Sequence, residues 1–393
     1  MKILYIAPRF HTNQVPIIRG LLREGHEVKF ISHYAGAVEN YEDIKPQVLG
    51  YSSFFEFIYG IVKTLHILSD AKLNVFRMKG GFPPKARLKN AILDFNPDVV
   101  ITRERSCYSI SATGICRKNT IPIILYDQSP LWTDRIKDDL PHRLVRKLTP
   151  KRRMTPVLGN EYGRDGSHRI TEDGAKYIPF VMEPEYSPAE RDEAWKKRNQ
   201  KGEKSIRILD IGKYENRKNH LMMMDVFESL SSEYDVELTI VGECTTESHK
   251  DYFNNLKKRV DGIINEKPYL TEKIHLLSNL KHDAMAECYK NADIFVLPST
   301  GEPASISQLE AMAYSLPIVC SNQNGTSCYV EDGENGYRFA DGDKEDLEKS
   351  IRKILDSDEL RQHMGEISYL YVNEKYGIDL YIKKISELLN RAE

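Results

Sequence analysis

The stretch ADIFVLPSTGEPASISQLEAMAYSLPIVCS (residues 292–321) predicts a strand, a loop, a short helix and a second strand. Its two ends, ADIFVLPS and LPIVCS, are short apolar runs typical of buried strands. The helix between them keeps an apolar face that must pack on a sheet, formed by Ile306, Leu309, Met312, Ala313 and Leu316. A strand, a helix and a strand in this order are typical of a parallel sheet covered by helices.

The same alternation extends through the chain on both sides of this stretch. In the first half, the predicted strands are KILYIA (2–7), EVKFIS (27–32), PDVVITR (97–103), IPIILYDQ (121–128), RMTPVLG (153–159) and KYIPFVMEP (176–184). In the second half they are the two strands above together with RILDIG (207–212), VELTIVG (236–242) and KIHLLS (273–278). Residues 187–205 contain almost no aliphatic side chains and are predicted to connect the halves, and residues 343–391 are predicted to be helical.

We therefore predict an α/β protein made of two Rossmann-like domains with parallel sheets. The predicted parts are residues 1–183, residues 184–372 and a C-terminal helix at 373–393 that packs back towards the first domain. Two such domains side by side place the carboxyl ends of their strands across a common cleft, and ligands bind beyond those ends. The loops that follow the strands are therefore expected to carry the chemistry.

The composition limits the class of protein. The chain has 393 residues, of which 40% are hydrophobic and 29% charged, which is ordinary for a soluble protein of two domains. No apolar run has the length of a membrane-spanning helix, and MKILYIAP leads directly into a strand, so we expect no cleavable secretory signal. The six cysteines are scattered without a C-x-x-C pair, which predicts reduced thiols in a cytoplasmic protein and neither a zinc site nor a disulfide framework.

The charge is distributed unevenly along the chain. Residues 1–182 carry 28 Lys and Arg against 18 Asp and Glu, or +10, whereas residues 183–393 carry 28 against 40, or −12. Basic residues concentrate at 135–153, with eight Lys and Arg against two Asp, and at 52–89, after an aromatic segment. These segments suit either an amphipathic surface on an anionic membrane or a core helix beside a solvated basic loop. Nucleic acid is a less favoured partner, because the basic residues lie outside any recognised nucleic-acid-binding fold.

Two glutamates flank the start of the helix in the opening stretch. Glu310 lies at the border of the apolar face, and a half-buried carboxylate needs hydrogen-bond donors such as the hydroxyls of a ribose. The first helical turn, at 304–307, offers unpaired backbone N–H groups and the positive end of the dipole, which suit a phosphate. Glu302 precedes that turn and would face whatever is attached to the phosphate. The alternative is that Glu302 is a solvated loop residue and that Glu310 is an acid on the helix surface.

The loop DIGKYENRKNH (210–220) joins a predicted strand to a predicted helix and is rich in cations. Lys213, Arg217 and Lys218 stand near the start of the helix, where positive charge opposes the helix dipole. A phosphate bound in this loop would explain them, and solvated surface side chains are the alternative. No G-x-G-x-x-G or Walker motif is present in the chain.

In their order and spacing, these loops resemble the family 4 glycosyltransferases, whose GT-B fold has two facing Rossmann-like domains. The resemblance covers residues 205–340 densely, through IGKYENRKNHL, TIVGE, HLLSNLKHDAMAECYKNADIFVLPST and EPASISQLEAMAYSLPIVCSNQNGTSCYVEDGENGYRF. GLLREGHEVKFIS (20–32) and YIPFVMEP (177–184) resemble further segments of that family. The rest of the first half matches weakly, as an acceptor-binding domain would.

The resemblance implies roles for individual residues of the second domain. Glu302 is expected to contact the donor sugar, Glu310 the donor ribose and Lys218 the diphosphate. Lys213 stands where the family more often has arginine, so the charge is kept while bidentate geometry is lost. The implied donor site comprises Gly212, Lys213, Lys218, Gly242, Glu302, Ala304, Ser305, Ile306 and Glu310.

The sequence departs from the family at two places. Ala304 and Ser305 replace a frequent Phe-Gly pair, so the contact of this loop with the sugar is expected to differ. Asp127 and Gln128 stand where the family usually has a histidine, so no catalytic histidine is assigned. Asp127 is a candidate for orienting the acceptor or polarising its hydroxyl, with a turn-forming role as the alternative.

The family retains the anomeric configuration and generally needs no divalent metal. Its chemistry implies that Lys213, Lys218 and the helix N-terminus at 305–306 neutralise the departing nucleoside diphosphate. The candidate catalytic residues are Glu302, Lys218, Lys213 and Asp127, and no metal ligand is assigned. Candidates for binding the acceptor or a phosphate follow the strands of the first domain, at Arg9, His11, Asn13, Arg103 and Arg105.

We therefore predict a retaining enzyme that moves a hexosyl or N-acetylhexosaminyl group from a nucleotide sugar, with UDP favoured, to a glycan or lipid-linked acceptor. Surface polysaccharide or glycolipid synthesis is the expected process, and no cofactor is predicted. The expected location is the cytoplasm, with peripheral contact to an anionic membrane through 52–89 and 135–153 as a further hypothesis. Two alternatives stay open: a catalytically silent nucleotide-sugar-binding subunit, and a nucleotide-sugar epimerase of the GT-B fold.

Overall fold

A computed structural model describes residues 1–35, 43–103, 105–128, 140–157, 175–199 and 205–390. The chain divides into two compact units. The first comprises Met1–Pro156, Thr171–Val181 and Ile378–Glu393, and the second comprises Val157–Ile170 and Met182–Gly377. Each unit is built on one parallel sheet, which confirms the predicted fold class of two Rossmann-like domains.

Across the described residues, the sheet of the first unit has seven parallel strands. They are β1 (Lys2–Ala7), β2 (Glu27–Ser32), β3 (Gln47–Val48), β4 (Val99–Arg103), β5 (Ile123–Tyr126), β6 (Arg153–Thr155) and β7 (Lys176–Tyr177). Their order across the sheet is β3-β2-β1-β4-β5-β6-β7. Strand β3 was not predicted from the sequence, because two residues are too few to show a periodicity.

The helices described between β1 and β6 are α1 (Val15–Arg23), α2 (Ser53–Thr64), α3 (Asp70–Gly80), α4 (Lys85–Phe95), α5 (Cys107–Lys118) and α6 (Leu140–Leu148). Helices α4 and α5 cover one face of the sheet with the buried side chains of Leu88, Ile92 and Ala112. From the sheet, Leu4 and Ile6 meet them in the same cluster. Side chains alternate along a strand, so Tyr5 faces the other side of the sheet.

The sheet of the second unit has six parallel strands, with the order β10-β9-β8-β11-β12-β13. Their bounds are β8 (Ile206–Ile211), β9 (Val236–Gly242), β10 (Ile274–Ser278), β11 (Ile294–Leu297), β12 (Ile318–Ser321) and β13 (Gly336–Phe339). All five strands predicted for this half are present. The edge strand β13 was not predicted, because its four residues include two polar positions that are only half-buried.

The helices of the second unit are α7 (Pro188–Asn199), α8 (His220–Leu230), α9 (Glu247–Glu266), α10 (His282–Asn291), α11 (Ile306–Ala313), α12 (Lys344–Leu355) and α13 (Asp358–Lys375). Helix α7 occupies most of the segment predicted as a partly helical connection. One core cluster joins α8, α9 and α12 to the sheet through Phe227, Leu256 and Ile351. Among the helices within the described ranges, none has the length and apolar character needed to cross a bilayer.

The last helix, α14 (Ile378–Leu389), belongs to the first unit and contacts α1. Its Tyr381 hydroxyl lies 2.9 Å from the hydroxyl of Tyr5, and both side chains are buried. This contact places α14 on the face of the sheet opposite α4 and α5. The region 343–391 is helical in its described part, as predicted.

The strand order of the second unit reverses between β8 and β11. From β8 the chain first builds outwards through β9 and β10, and then it returns to add β11 on the other side. The loops that follow β8 and β11, at 212–219 and 298–305, therefore leave the same edge of the sheet from adjacent strands. Rossmann-like sheets bind ligands at such a switch point.

The pair of Tyr5 and Tyr381 allows a double-mutant cycle that tests how α14 packs. Each buried hydroxyl has the other as its partner, so Tyr5→Phe or Tyr381→Phe alone should lower the free energy of unfolding by about 1–3 kcal/mol. The double variant loses both hydroxyls and should cost clearly less than the sum of the two single changes. Urea unfolding of the four proteins measures this coupling, and purely additive losses would contradict the contact.

Candidate functional site

A cluster of ion pairs joins the two loops that follow β8 and β11. Lys218 Nζ donates to Glu302 Oε2 at 2.5 Å, and the Arg217 guanidinium donates to the same oxygen. Arg217 also pairs with Glu215 at 2.6 Å. The backbone adds a further link, since the Thr300 N–H donates to the carbonyl oxygen of Arg217 at 2.8 Å. Two cations and two carboxylates are therefore held together at the switch point.

Glu302 is enclosed although it is charged. Its side chain is only 6% exposed, and that of Lys218 is 11% exposed. Burial by itself would raise the pKa of the Glu302 carboxyl, but the charges and hydrogen bonds of Lys218 and Arg217 outweigh it and hold this pKa below its ordinary value. Glu302 is therefore an ionised, buried carboxylate and not the solvated loop residue considered as the alternative.

Lys213 has a different partner from Lys218. Its ammonium lies 2.7 Å from Glu243, and its side chain is 44% exposed. The turn that carries Lys213 is held by the buried His220, whose Nε2 lies 3.2 Å from the Lys213 carbonyl oxygen and whose Nδ1 lies 2.7 Å from Asp210 Oδ2. Lys213 and Lys218 were both expected on the diphosphate, whereas in the structure their ammonium groups contact different carboxylates, Glu243 and Glu302.

Gly325, in the loop after β12, supports the loop that carries Glu302. The Gly325 N–H donates to the Glu302 carbonyl oxygen at 2.8 Å. A Cβ atom at position 325 would lie 1.9 Å from the carbonyl oxygen of Pro303, so this close approach requires glycine. Gly325 therefore lets the loop after β12 approach the loop after β11.

Helix α11 begins at this supported loop, with Ser305 as its N-cap residue. Its first turn is fixed by a buried network in which Gln308 donates to the Thr326 carbonyl oxygen at 3.0 Å and accepts from Asn324 at 2.7 Å. The backbone N–H of Ser305 lies 3.3 Å from Thr326 Oγ1. The N–H groups that follow it, in the first turn of α11, have no acceptor within the helix, as in any α-helix, so they suit an anion.

Glu310 lies on the side of α11 away from the Gln308 network. Its carboxylate accepts a hydrogen bond from the Tyr289 hydroxyl at 2.6 Å. Tyr289 is buried and its ring stacks on that of Tyr314, with 5.2 Å between the ring centroids. Burial together with the neighbouring Glu310 raises the pKa of Tyr289 well above its ordinary value, so the hydroxyl is always protonated and donates. The direction of the Glu310 carboxylate is thereby fixed by a residue of α10.

The apolar face predicted for α11 is confirmed. Leu309, Met312, Ala313 and Leu316 are fully buried, while Ile306 is half-buried at the start of the helix. The half-buried Glu310 lies at the border of this face, as its position in the sequence indicated.

The two glycines predicted in the donor site serve the packing of strand ends. A Cβ at Gly242 would lie 2.3 Å from the carbonyl oxygen of Gly212, so glycine lets the ends of β8 and β9 approach. A Cβ at Gly212 would lie 2.8 Å from the side chain of Lys218. Gly212 therefore leaves the space through which Lys218 reaches Glu302.

Three candidates of the first unit lie in the loop after β1. Arg9 is half-buried, with its guanidinium 3.3 Å from His11 Nε2. The His11 N–H donates to the side chain of Gln14 at 2.9 Å, and Asn13 is buried. His11 is therefore tied to its own loop by both its backbone and its ring, and is not a fully solvated residue.

The remaining candidates of the first unit follow β4 and β5. Arg103, the last residue of β4, donates to Gln128, which donates to the Tyr126 hydroxyl at 2.5 Å. Asp127 comes directly after β5, where its N–H donates to the Met154 carbonyl oxygen at 3.0 Å. Arg105 lies half-buried just ahead of α5. These residues stand at the carboxyl edge of the first sheet, as the donor candidates stand at that of the second.

Asp210, His220 and Tyr289 support the site but were not predicted from the sequence. Asp210 offered a signal, because a charged residue inside an otherwise apolar strand needs a buried partner. His220 offered another, as a histidine at the head of an apolar helix. Tyr289 carried no recognisable signal, since a tyrosine on the buried side of a helix is usually a core residue.

Three comparisons relate this chain to known proteins. Residues 191–370 match the family model described as glycosyl transferases group 1. The capsular polysaccharide biosynthesis glycosyltransferase CapM of Staphylococcus aureus is 21% identical, over 65% of this chain and 60% of its own length. The crystal structure of a glycosyltransferase from Rickettsia africae ESF-5 superposes with a TM-score of 0.70 at 17% identity, covering 100% of this chain and 99% of that one. The structure of HepE from Anabaena in complex with UDP superposes with a TM-score of 0.70 at 13% identity, covering 99% of both chains.

These likenesses establish different things. The solved structures show the GT-B fold, and the family match together with the curated relatives supports a transferase enzyme. The chain spans about half the length of the first curated relatives that it matches, between 48% and 60%. The likenesses therefore leave the substrates of this chain to be argued from its own residues.

The lowered pKa of Glu302 makes stability depend on pH. A glutamate in the unfolded chain has a pKa of about 4.3, and the ion pairs lower it in the folded protein. The stabilisation is present above the unfolded pKa and is lost as the pH falls through the folded pKa, because the unfolded chain takes up the proton first. Urea unfolding between roughly pH 3 and pH 7 should show the free-energy difference between wild type and Glu302→Gln shrinking below about pH 4.3. A difference independent of pH would contradict the cluster.

Proposed function

We propose that this chain transfers a sugar from a nucleotide sugar to a hydroxyl group of a glycan or lipid-linked acceptor. Its residues 191–370 match the group 1 glycosyl transferases, and its fold is GT-B. The observation that carries the proposal is the cluster of Lys218, Arg217 and Glu302 at the switch point between β8 and β11. Two cations, a helix start and two glutamates share this edge of the sheet. That combination suits a donor with an anionic centre and hydroxyl groups on both sides of it.

The donor can be assigned part by part along this edge. Lys218, Arg217 and the N–H groups at 305–306 would bind the diphosphate, with Lys213 as a further cation. Glu310, oriented by Tyr289, would accept hydrogen bonds from the ribose hydroxyls. Ala304 lies in the loop that would contact the sugar together with Glu302. We favour UDP as the nucleotide, because a neighbour of the same fold was solved with UDP.

We propose a retaining transfer. The acceptor oxygen attacks the anomeric carbon from the face that the diphosphate leaves, so the new bond forms as the bond to the diphosphate oxygen breaks. The proton of the acceptor hydroxyl passes to a phosphate oxygen. The leaving group gains negative charge, which the two cations and the dipole of α11 stabilise in place.

We propose that this transfer needs neither a metal ion nor a cofactor. A divalent cation would stabilise a departing diphosphate by neutralising its charge. Lys218, Arg217 and the start of α11 supply fixed positive charge for the same purpose. Activity should therefore survive treatment with EDTA.

The acceptor is assigned to the first unit. Arg9, His11, Asn13 and Arg105 stand with Arg103 at the carboxyl edge of its sheet, where they can bind hydroxyl or phosphate groups. Asp127 follows β5 and would orient the acceptor hydroxyl. The relative CapM acts, by its name, in capsular polysaccharide biosynthesis, and we propose surface polysaccharide or glycolipid synthesis for this chain.

The first unit also carries the surface that we propose meets an anionic membrane from the cytoplasmic side. Helix α2 exposes Phe54 and Phe57, and α6 exposes Leu140 and Leu144 in a helix whose last turn is basic. Helix α2 contacts α3, α3 contacts α5, and α5 contacts α6, so the two helices belong to one layer. Apolar side chains beside cations are typical of helices that lie in the interface of an anionic bilayer.

The donor assignment is tested by Glu310→Ala in a thermal-shift screen with UDP-, GDP- and ADP-sugars. Loss of the ribose contact should weaken the binding of the preferred nucleotide about tenfold or more, because a buried hydrogen bond to a charged group is lost. The matched control is Glu266→Ala, an exposed glutamate at the end of α9, which should bind like wild type. Unchanged binding by Glu310→Ala would show that the ribose assignment is wrong.

Turnover separates the enzyme from its alternatives. With a competent acceptor, the wild type should release a nucleoside diphosphate and a glycoside of retained anomeric configuration. A silent subunit would bind the nucleotide sugar and release nothing with any acceptor. An epimerase would convert the sugar without an acceptor.

The membrane surface is tested by co-sedimentation with vesicles of phosphatidylcholine and phosphatidylglycerol. Phe57→Glu together with Leu144→Glu should lower the bound fraction several-fold, because each change places a charge on an apolar surface that would enter the interface. Leu22→Glu, at an exposed leucine of α1, is the matched control and should leave binding unchanged. If wild type, the double variant and Leu22→Glu bind the vesicles equally, the membrane contact lies elsewhere.

A further inference from the structure

The cations assigned to the donor diphosphate already have a carboxylate partner in the same chain. Glu302 Oε2 accepts from both Lys218 and Arg217. The carboxylate and the ammonium are almost fully buried, so the pair is shielded from solvent and the attraction between them is strong. Glu215 lies 2.6 Å from Arg217 and balances its positive charge. The two cations and two carboxylates of the cluster therefore have no net charge.

We propose that Glu302 competes with the nucleoside diphosphate for Lys218 and Arg217, and so promotes the release of that product. This inference rests on the proposed function, because it concerns the same donor site. When the diphosphate binds, its oxygens take over hydrogen bonds that Glu302 accepts in the structure. When it leaves, the carboxylate of Glu302 returns to both cations.

The geometry favours competition between Glu302 and the diphosphate for the two cations over simultaneous binding of both. The Glu302 oxygen is shared by both cations, so any diphosphate oxygen that approaches either of them also approaches a negative charge. Like charges repel strongly in an enclosed site. Lys218 is enclosed on its other sides, since its side chain is only 11% exposed. Its ammonium therefore has room for few further acceptors.

The same geometry makes Arg217 the second cation of the proposed diphosphate site. The guanidinium is planar and offers several donors in a fixed fork, which suits two phosphate oxygens. Arg217 contacts the same carboxylate as Lys218, whereas Lys213 pairs with Glu243 in a more exposed place. Arg217 therefore supplies the bidentate geometry that Lys213 lacks.

The test is the affinity for UDP, measured by calorimetry with wild type and Glu302→Gln. Removal of the competing charge should lower the dissociation constant of UDP about tenfold or more, because both cations then face the diphosphate alone. The dissociation rate of UDP in stopped-flow experiments should fall in parallel. Equal or weaker UDP binding by Glu302→Gln would overturn the inference, since a residue that only supports the site or contacts the sugar gives that result.

A second variant and a matched control complete the test. Glu302→Gln leaves Lys218 without its carboxylate and can impair folding, so Glu302→Asp, which keeps the charge but withdraws it from the cations, should give an intermediate affinity. Glu228→Gln is the control, because Glu228 also pairs with one arginine and one lysine. Arg259 lies at 2.5 Å and Lys267 at 3.2 Å, and Glu228 is near the end of α8 that is remote from the site. UDP binding by this variant should equal that of wild type, and a gain there would show a general charge effect and overturn the inference.

The outcomes separate this inference from the proposed function. A wild type that binds UDP, with variants at position 302 that gain nothing, contradicts the competition and leaves the transferase proposal intact. A wild type that binds no nucleoside diphosphate or nucleotide sugar contradicts the proposed function itself.

Discussion

The geometry of the candidate site depends on the parallel pairing of β8 with β11. Parallel strands need crossover connections, and here β9, β10 and the three helices α8, α9 and α10 separate the two strands along the chain. The pairing nevertheless places their carboxyl ends side by side. Lys218 and Glu302, 84 residues apart, meet across this junction. A buried ion pair stabilises little unless its desolvation is offset by further hydrogen bonds, and the Arg217 guanidinium supplies one to Glu302.

Behind the charged residues lies a layer of buried polar side chains that have partners of their own. His220 bridges Asp210 and the backbone of Lys213, and Tyr289 donates to Glu310. Hydrogen bonds are stronger in a buried, low-dielectric environment, so they rigidify the parts of a site that they join. The two loops and the start of α11 are therefore set before a ligand arrives, so little conformational entropy is lost on binding.

Periodicity predicted most of the fold, and the strand ends predicted which loops carry the candidate residues. The apolar face of α11 and the alternation of strands and helices followed directly from the sequence, whereas β3 and β13 were too short or too polar to show. The partners of the charged residues could not be predicted. Lys213, Arg217 and Lys218 lie within six positions of one another, and only the tertiary structure shows that two of them reach Glu302 and one reaches Glu243.

The charge of the whole second half places a further constraint on nucleotide binding. Residues 183–393 carry 28 basic against 40 acidic side chains, or −12, so the long-range field of this part opposes the approach of an anion. The diphosphate must then be attracted at short range, by N–H groups and cations within hydrogen-bond reach of it. Because the cations of the cluster are already neutralised by Glu302 and Glu215, the net attraction for a free diphosphate is small. In the proposed reaction, the donor therefore gains affinity from its ribose and sugar contacts as well, and a product that has lost its sugar has less to hold it in the site.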